Sequence, residues 1–254
     1  MLKGLIDTHA HLSDLEDRAG VVMRARDVGV EAVVSVGANL ATSRATMEWA
    51  EAYPKYVHPA LGIHPTEWAN DDIPTTLKYI EGKMADIVAV GEIGLDYWDA
   101  GARKDKGVRE KQRQIYIDLL KMAKEHSKPV SIHGRGSWRD AFDLALLHGP
   151  DWAVFHWYSG PLDILAEILD HGYYISATPS AEYSRDHRAA LANAPLERIM
   201  IETDSPVYLR NRGRPSEPAD LTITVNALAR LKDTTEEDIA FVTARNSKLF
   251  FRIP

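Results

Sequence analysis

Short runs of β-branched and apolar residues alternate along the chain with longer segments of helical hydrophobic period. Eight of these runs are predicted as strands, at residues 5–9, 31–36, 57–63, 87–92, 129–133, 153–156, 173–177 and 198–204. The segments between them predict amphipathic helices, among them 19–28, 41–52, 109–126, 162–170 and 219–231. A last helix is predicted to begin at a capping box formed by Thr234 and Glu237 and to run towards Phe250.

This alternation of strands and helices predicts parallel strands joined by right-handed crossovers. Eight units in 254 residues fit a closed α/β fold, the (β/α)8 TIM barrel, better than an open sheet. A doubly wound sheet would favour a glycine-rich phosphate turn after its first strand, and the sequence has none there. We therefore expect a single domain that covers residues 1–254.

Composition narrows the possible chemistry. The chain has no cysteine, which excludes disulfides, a thiolate nucleophile and cysteine-ligated zinc. Its net charge of −7 is not that of a protein coated with nucleic acid, so a phosphate-bearing partner needs a local basic patch.

The first residues lack a signal-peptide pattern, and no run of ~18 apolar residues indicates a membrane helix. We expect a cytoplasmic protein with no obligate protein partner.

The ionisable residues fall where a barrel carries its chemistry, at the carboxyl ends of the strands. Side chains two apart share a strand face, so His9 and His11 can bind one ion together. Glu92 follows two valines on an inward face, where a charge costs several kcal/mol unless it is paired or bound to metal. We interpret the converging set as a metal site; its members are His9, His11, His64, Glu92, His133, His156 and Asp204. The other histidines are interpreted as surface or structural residues.

These donors suffice for two divalent ions. Imidazole favours zinc, iron or nickel, whereas carboxylates admit magnesium or manganese, so the sequence leaves the identity of the ion open. Two ions ~3.5–4 Å apart would activate a water molecule and polarise a phosphoryl or carbonyl group. Asp204, at the end of the eighth predicted strand, is expected to hold that water and to accept its proton.

Seven motifs, in order, resemble the TatD family of metal-dependent deoxyribonucleases among the amidohydrolase-like barrels. They are IDTHAHL at 6–12, ALGIHP at 60–65, VGEIGLDY at 90–97, KPVSIHGR at 128–135, FHWYSG at 155–160, IETDSP at 201–206 and RPSEP at 214–218. The resemblance implies 3′-5′ exonuclease activity and six metal ligands, with a bridging carboxylate at Glu92; the ligands are His9, His11, Glu92, His133, His156 and Asp204. It further implies a catalytic and substrate-contacting role for His64 and a supporting carboxylate at Glu202. Three places differ from what is usual in the family: Trp157-Tyr158, Ser216, and the bulkier Gly136-Ser137-Trp138 after Arg135.

Several features bear on a DNA or other phosphate-bearing substrate. Residues 103–113 carry six basic against two acidic side chains, and 210–214 carry three arginines; both segments are expected on the catalytic rim. Arg135 is the best single candidate for a phosphate contact, because its forked guanidinium matches phosphate oxygens. Aromatic residues predicted near the rim are candidates for base stacking, namely Tyr97, Trp138, Trp157 and Tyr158.

Two other functions compete with the nuclease. A hydrolase of C–N, ester or lactone bonds could use the same barrel, but such barrels often bridge their ions with a carboxylated lysine, whereas the fourth strand here offers Glu92. A non-catalytic scaffold protein would have lost part of the donor set, and none of the expected donors is missing. The sequence therefore favours the phosphodiesterase.

Overall fold

The computed structural model describes residues 2–70 and 72–254. Within this part of the chain, eight strands form one parallel sheet in the order β1 to β8. Their bounds are Leu5–Ala10 (β1), Val30–Gly37 (β2), Val57–Leu61 (β3), Ala89–Asp96 (β4), Val130–Arg135 (β5), Ala153–Phe155 (β6), Tyr174–Ala177 (β7) and Ile199–Ile201 (β8). Strands that follow each other in sequence are neighbours throughout, as the predicted barrel requires.

Helices connect the strands on the outside of the sheet. They are Arg18–Asp27 (α1), Leu40–Ala52 (α2), Ile73–Gly82 (α3), Lys106–Glu125 (α4), Trp138–His148 (α5), Leu162–Asp170 (α6), Arg185–Asn193 (α7), Leu221–Lys232 (α8) and Glu236–Phe251 (α9). A hairpin of Tyr208–Leu209 (β9) and Arg214–Pro215 (β10) follows β8. Among the helices in the described ranges, none is long and apolar enough to cross a bilayer.

The predicted start of the last helix is wrong by one residue. Thr235 is the cap, since its hydroxyl accepts a hydrogen bond from the amide of Asp238 at 3.0 Å. The hydroxyl of Thr234 donates to the Asp238 carboxylate instead, at 3.1 Å. Because two adjacent threonines precede several acidic residues, either threonine could cap the helix. The spacing of Thr234 and Glu237 predicts the first, but the structure uses Thr235 with Asp238.

The sheet closes on itself through the segment that follows β8. The amide of Asp204 donates to the carbonyl of His9 at 2.9 Å, and the amide of His11 donates to the carbonyl of Ser205 at 2.7 Å. Ala10 and Ser205 form a parallel bridge. The eight-stranded barrel is thus confirmed, and its closure places the residues after β8 beside the histidines of β1.

Small and branched side chains fill the interior of the barrel towards its amino end. Ile6, Val34, Val154 and Met200 form one buried cluster together with Phe250 of α9. The Phe250 ring lies 5.4 Å from the ring of Tyr174 at the start of β7. Helix α9 therefore covers this end of the barrel, and the opposite, carboxyl end remains for the ionisable residues.

Two predicted strand ends differ from the structure by more than two residues. Strand β4 continues past Glu92 to Asp96, and its ladder with β5 pairs Gly94 with His133 and Asp96 with Arg135. Strand β8 ends at Ile201, before the acidic residues expected within it. The prediction ends β4 at the polar Glu92, but an inward-facing polar group does not interrupt a backbone ladder. In β8 the opposite holds, because the ladder with β7 pairs Ala177 with Ile201 and stops there.

A buried carboxyl group ties β1 to the segment after β8. Asp7 accepts hydrogen bonds from the amide of Thr203 at 2.9 Å and from its hydroxyl at 2.6 Å. Burial raises the pKa of Asp7 from 3.8 to about 8, although the bonds from Thr203 act in the opposite direction. The folded protein thus holds this proton at pH values where an unfolded chain releases it.

This linkage predicts a measurable pH dependence of stability. Because the folded-state pKa of Asp7 is raised, its contribution is complete below about pH 3.8 and is lost as pH rises through about 8. Asp7→Asn keeps the shape of the side chain and cannot ionise. The free energy of unfolding of the variant should therefore increase relative to that of the wild type as pH rises from 5 to 8.

Urea unfolding of both proteins, with a chelator present throughout, measures this difference. Two stability curves that stay parallel over that range would show that Asp7 is ionised in the folded state.

Candidate metal centre

Six side chains from four strand ends and the segment after β8 meet at the carboxyl end of the barrel. His9, Glu92 and His133 lie within their strands, whereas the other three follow the end of a strand. The set comprises His9, His11, Glu92, His133, His156 and Asp204. Glu92 lies at the centre and is 2% exposed, so its charge has to be balanced by its neighbours rather than by water.

One oxygen of Glu92 faces the histidines of β1. Its Oε2 atom lies 3.5 Å from Nε2 of His9 and 3.4 Å from Nε2 of His11. The Oδ1 atom of Asp204 lies 3.7 Å and 3.5 Å from the same two nitrogens. Four donor atoms, two imidazole nitrogens and two carboxylate oxygens, therefore surround one point.

The other oxygen of Glu92 faces the histidines of β5 and β6. Its Oε1 atom lies 2.7 Å from Nδ1 of His133 and 2.7 Å from Nε2 of His156. His64 brings its Nε2 atom to 3.5 Å from the same oxygen, while its Nδ1 atom lies 2.6 Å from the hydroxyl of Thr66. The carboxylate thus separates two groups of histidines, one on each oxygen.

The donor set fits divalent metal ions. Nε2 of His9 faces Nε2 of His11 at 3.4 Å, and Nδ1 of His133 faces Nε2 of His156 at 3.3 Å. Paired imidazole nitrogens directed at one carboxylate oxygen are the arrangement that a shared cation stabilises. Groups able to hold an ion include His9 with His11 and Glu92, and His64 with Glu92 and His133.

The carboxylates and imidazoles shift one another's ionisation. Burial favours protonation of Glu92, yet the surrounding histidines hold its pKa well below the usual range. Burial likewise opposes the charging of His11, but hydrogen bonds to Asp204 and Glu92 raise its pKa to about 10. His64 has Glu92 as a carboxylate neighbour, at 3.5 Å, and burial outweighs the charge of that neighbour and lowers the pKa of His64 to about 4. Glu92 is therefore a fixed negative charge, and His64 is neutral.

Glu202 lies behind His156, the histidine that follows β6. Its Oε1 atom lies 3.3 Å from Nδ1 of His156 and accepts the amide of Trp157 at 3.0 Å. A carboxylate on the far ring nitrogen fixes the orientation of a ligating imidazole.

Both Trp157 and Asp204 have left-handed backbones, with φ of 43° and 50°. Alternation of residues along a strand cannot predict such conformations.

Sequence reasoning missed Asp96, which holds two predicted site residues. Its buried carboxylate accepts hydrogen bonds from Nε and Nη2 of Arg135 at 2.9 and 2.6 Å. Its Oδ2 atom also lies 3.5 Å from Nε2 of His133. Alternation from Glu92 would have placed Asp96 on the same face, but the strand was predicted to end four residues too early.

A cavity of about 1260 Å³ opens above these residues. Five of the candidate ligands line it, as does His64. Arg135 and Arg185 are the arginines that line it within the described residues. The arrangement offers a cleft with metal-binding chemistry on its floor and two guanidinium groups on its walls.

The two basic segments do not line this cavity. Arg109 donates from Nε to the carbonyl of Ala102 at 2.6 Å, and Arg113 pairs with Asp140 at 2.9 Å. Arg212 and Arg214 pair with acidic residues of neighbouring loops. Both segments follow the carboxyl end of a strand, but they supply no lining residue of this cavity, and four of their arginines bind groups of the protein itself.

Three of the four predicted stacking residues are engaged elsewhere. Tyr158 is fully buried and donates to the carbonyl of Pro161 at 2.6 Å. Tyr97 donates to Asp140 at 2.7 Å and lies under the guanidinium of Arg109. Trp138 packs on the Tyr158 ring at 4.5 Å. Trp157 lines the cavity, and so does Trp98, which the sequence reasoning did not select.

The chain is similar over most of its length to known proteins. The crystal structure of the TatD homologue YJJV from Escherichia coli has a TM-score of 0.90, 26% sequence identity and coverage of 100% of both chains. A Bacillus subtilis protein described as an uncharacterized metal-dependent hydrolase, YabD, is 31% identical over 98% of this chain and 99% of its own length.

A Pantoea vagans protein named 3'-5' ssDNA/RNA exonuclease TatD is 31% identical over 93% of this chain and 94% of its own length. The sequence pattern of TatD related DNases matches residues 6–252. The match spans every strand of the barrel and all six candidate ligands. The chain belongs to the TatD related DNase family.

Proposed function

We propose that this protein is a metal-dependent phosphodiesterase that removes nucleotides from the 3′ end of single-stranded DNA or RNA. The observation that carries the proposal is the buried Glu92 carboxylate, whose two oxygens each face a separate group of histidines. The substrate class is supported by the Pantoea vagans relative, whose name describes a 3'-5' ssDNA/RNA exonuclease.

Two divalent ions complete the proposed site. His9, His11 and Asp204 would hold one ion, His133 and His156 the other, and Glu92 would bridge them. Zinc, manganese and magnesium are the ions to test first, with nickel and iron also compatible with these donors. When bound, such ions lower the pKa of water and polarise the phosphoryl oxygen under attack.

The residues of the chain have distinct proposed roles around the scissile phosphate. Asp204 orients the attacking water and accepts its proton, because its carboxylate is 8% exposed and faces the cavity. His64, neutral and at the cavity wall, contacts the substrate. Arg135 binds a phosphate oxygen with the N–H groups that Asp96 leaves free. Glu202 and Asp96 act through His156 and His133, whose rings they orient.

Metal content tests the bridging role. The wild-type protein, loaded with zinc or manganese and then desalted, should retain two ions per chain. Glu92→Gln removes the central charge and should retain at most one, whereas His171→Ala, an exposed site remote from the cleft, should retain two. Elemental analysis supplies the numbers. Trace metal alone in the wild type after loading with each ion would overturn the dinuclear site.

Activity tests the role of Asp204. Asp204→Asn should lower kcat for release of mononucleotides from a 5′-labelled single-stranded oligonucleotide by about 100- to 10,000-fold, the usual contribution of a general base. His171→Ala should retain wild-type kcat.

Metal content of both variants, measured on the same samples, separates lost chemistry from a lost ion. If the oligonucleotide resists every metal while a small ester or amide is hydrolysed quickly, the competing hydrolase function is correct.

A further inference from the structure

An exposed tryptophan stands on the wall of the cleft beside the candidate phosphate ligand. Trp98 follows the end of β4, is 65% exposed and lines the same cavity as Arg135. Trp138 and Trp157 also line the cavity but are half-buried. A large aromatic face open to a cleft costs hydration free energy in the free protein, which a ligand that covers it recovers.

The indole of Trp98 rests on bare backbone. Gly136 has a φ of 69°, and a Cβ atom added there would lie 2.5 Å from both Cδ1 and Nε1 of Trp98. A side chain at position 136 would therefore displace the ring. The close packing on Gly136 fixes one edge of the indole, while most of the side chain stays exposed at the cavity.

One carboxylate positions both Trp98 and Arg135. Asp96 accepts the amide of Trp98 at 3.0 Å and the Nε and Nη2 groups of Arg135 at 2.9 and 2.6 Å. The same carboxylate lies 3.5 Å from Nε2 of His133. Asp96 thus holds the aromatic face and the guanidinium at one place. The same carboxylate contacts His133, which is a proposed metal ligand.

We propose that Trp98 is a specificity-determining residue, on which one nucleobase next to the scissile phosphate stacks while Arg135 binds a phosphate of the same strand. This inference rests on the proposed function and adds a recognition site for an unpaired base. Stacking on an aromatic side chain accepts any base, because each base has a π face, and it requires that the base be unpaired.

Abasic oligonucleotides test the stacking directly. Two single-stranded substrates each carry one abasic unit, at the 3′-terminal or the penultimate position, and are compared with the intact strand. Loss of the stacked base should lower kcat/KM of the wild type roughly 5- to 150-fold for one of them, the equivalent of about 1–3 kcal/mol. Trp98→Ala should turn over the intact strand more slowly by a similar factor and lose most of this discrimination.

Three further variants make the result specific. Trp98→Phe should keep most of the discrimination, since it keeps an aromatic face. Trp152→Ala removes a tryptophan that is 42% exposed and packs near Phe250, away from the cleft, and should behave like the wild type. Arg135→Ala should slow intact and abasic strands by equal factors and reduce the dependence of binding on salt.

Two results would overturn the role of Trp98. One is a wild type that treats intact and abasic strands alike, and the other is a Trp98→Ala variant that still discriminates fully. Anisotropy of a labelled oligonucleotide with metal-free protein repeats the comparison without turnover. Absence of hydrolysis with every metal would therefore refute the proposed function, while the binding data would still decide whether Trp98 stacks a base.

Discussion

The buried carboxylate of Glu92 is the constraint around which the carboxyl end of the barrel is organised. An isolated buried charge costs several kcal/mol, and breaking a buried charge pair typically costs 3–5 kcal/mol. Imidazole nitrogens of His133 and His156 lie 2.7 Å from one oxygen, and those of β1 lie near the other. These partners come from strands far apart in sequence, so the charge is balanced only when β1, β4, β5 and β6 are assembled in register.

Three other buried carboxyl groups hold the loops that carry the candidate ligands. Asp7 accepts the amide of Thr203, beside Asp204. Glu202 accepts the amide of Trp157, which follows His156. Asp96 accepts the amides of two residues after β4 as well as Arg135. Asp7 and Glu202 each bind the backbone amide next to a candidate ligand, so the position of that ligand is set by main-chain hydrogen bonds and not by side-chain packing alone.

The hydrophobic period predicted the barrel because strands and helices differ strongly in where they place apolar residues. The same reasoning collected the histidines, since the topology of a closed sheet brings all strand ends to one rim. It could not find Asp96, because the length of β4 depends on its ladder with β5, or the left-handed backbone at Asp204. The sequence also does not tell which arginines face the cleft. Arg113 on α4 pairs with Asp140 on α5, and a count of charges along the chain cannot predict such a contact.

Two of the places that differ from the family pattern, those after β5 and after β6, pack on each other. Trp138 lies over Gly134 and Gly160, where an added Cβ atom would come within 2.5 and 2.6 Å of its ring, and it packs on Tyr158. Tyr158 in turn is buried and fixed through its hydroxyl. The bulky rings after β5 and after β6 therefore pack on each other, Trp138 from the start of α5 and Tyr158 from the loop after β6, and neither ring belongs to the donor set on the floor of the cleft. Of the tryptophans that line the cleft, Trp138 and Trp157 are half-buried, so contact with the substrate falls first to the exposed Trp98.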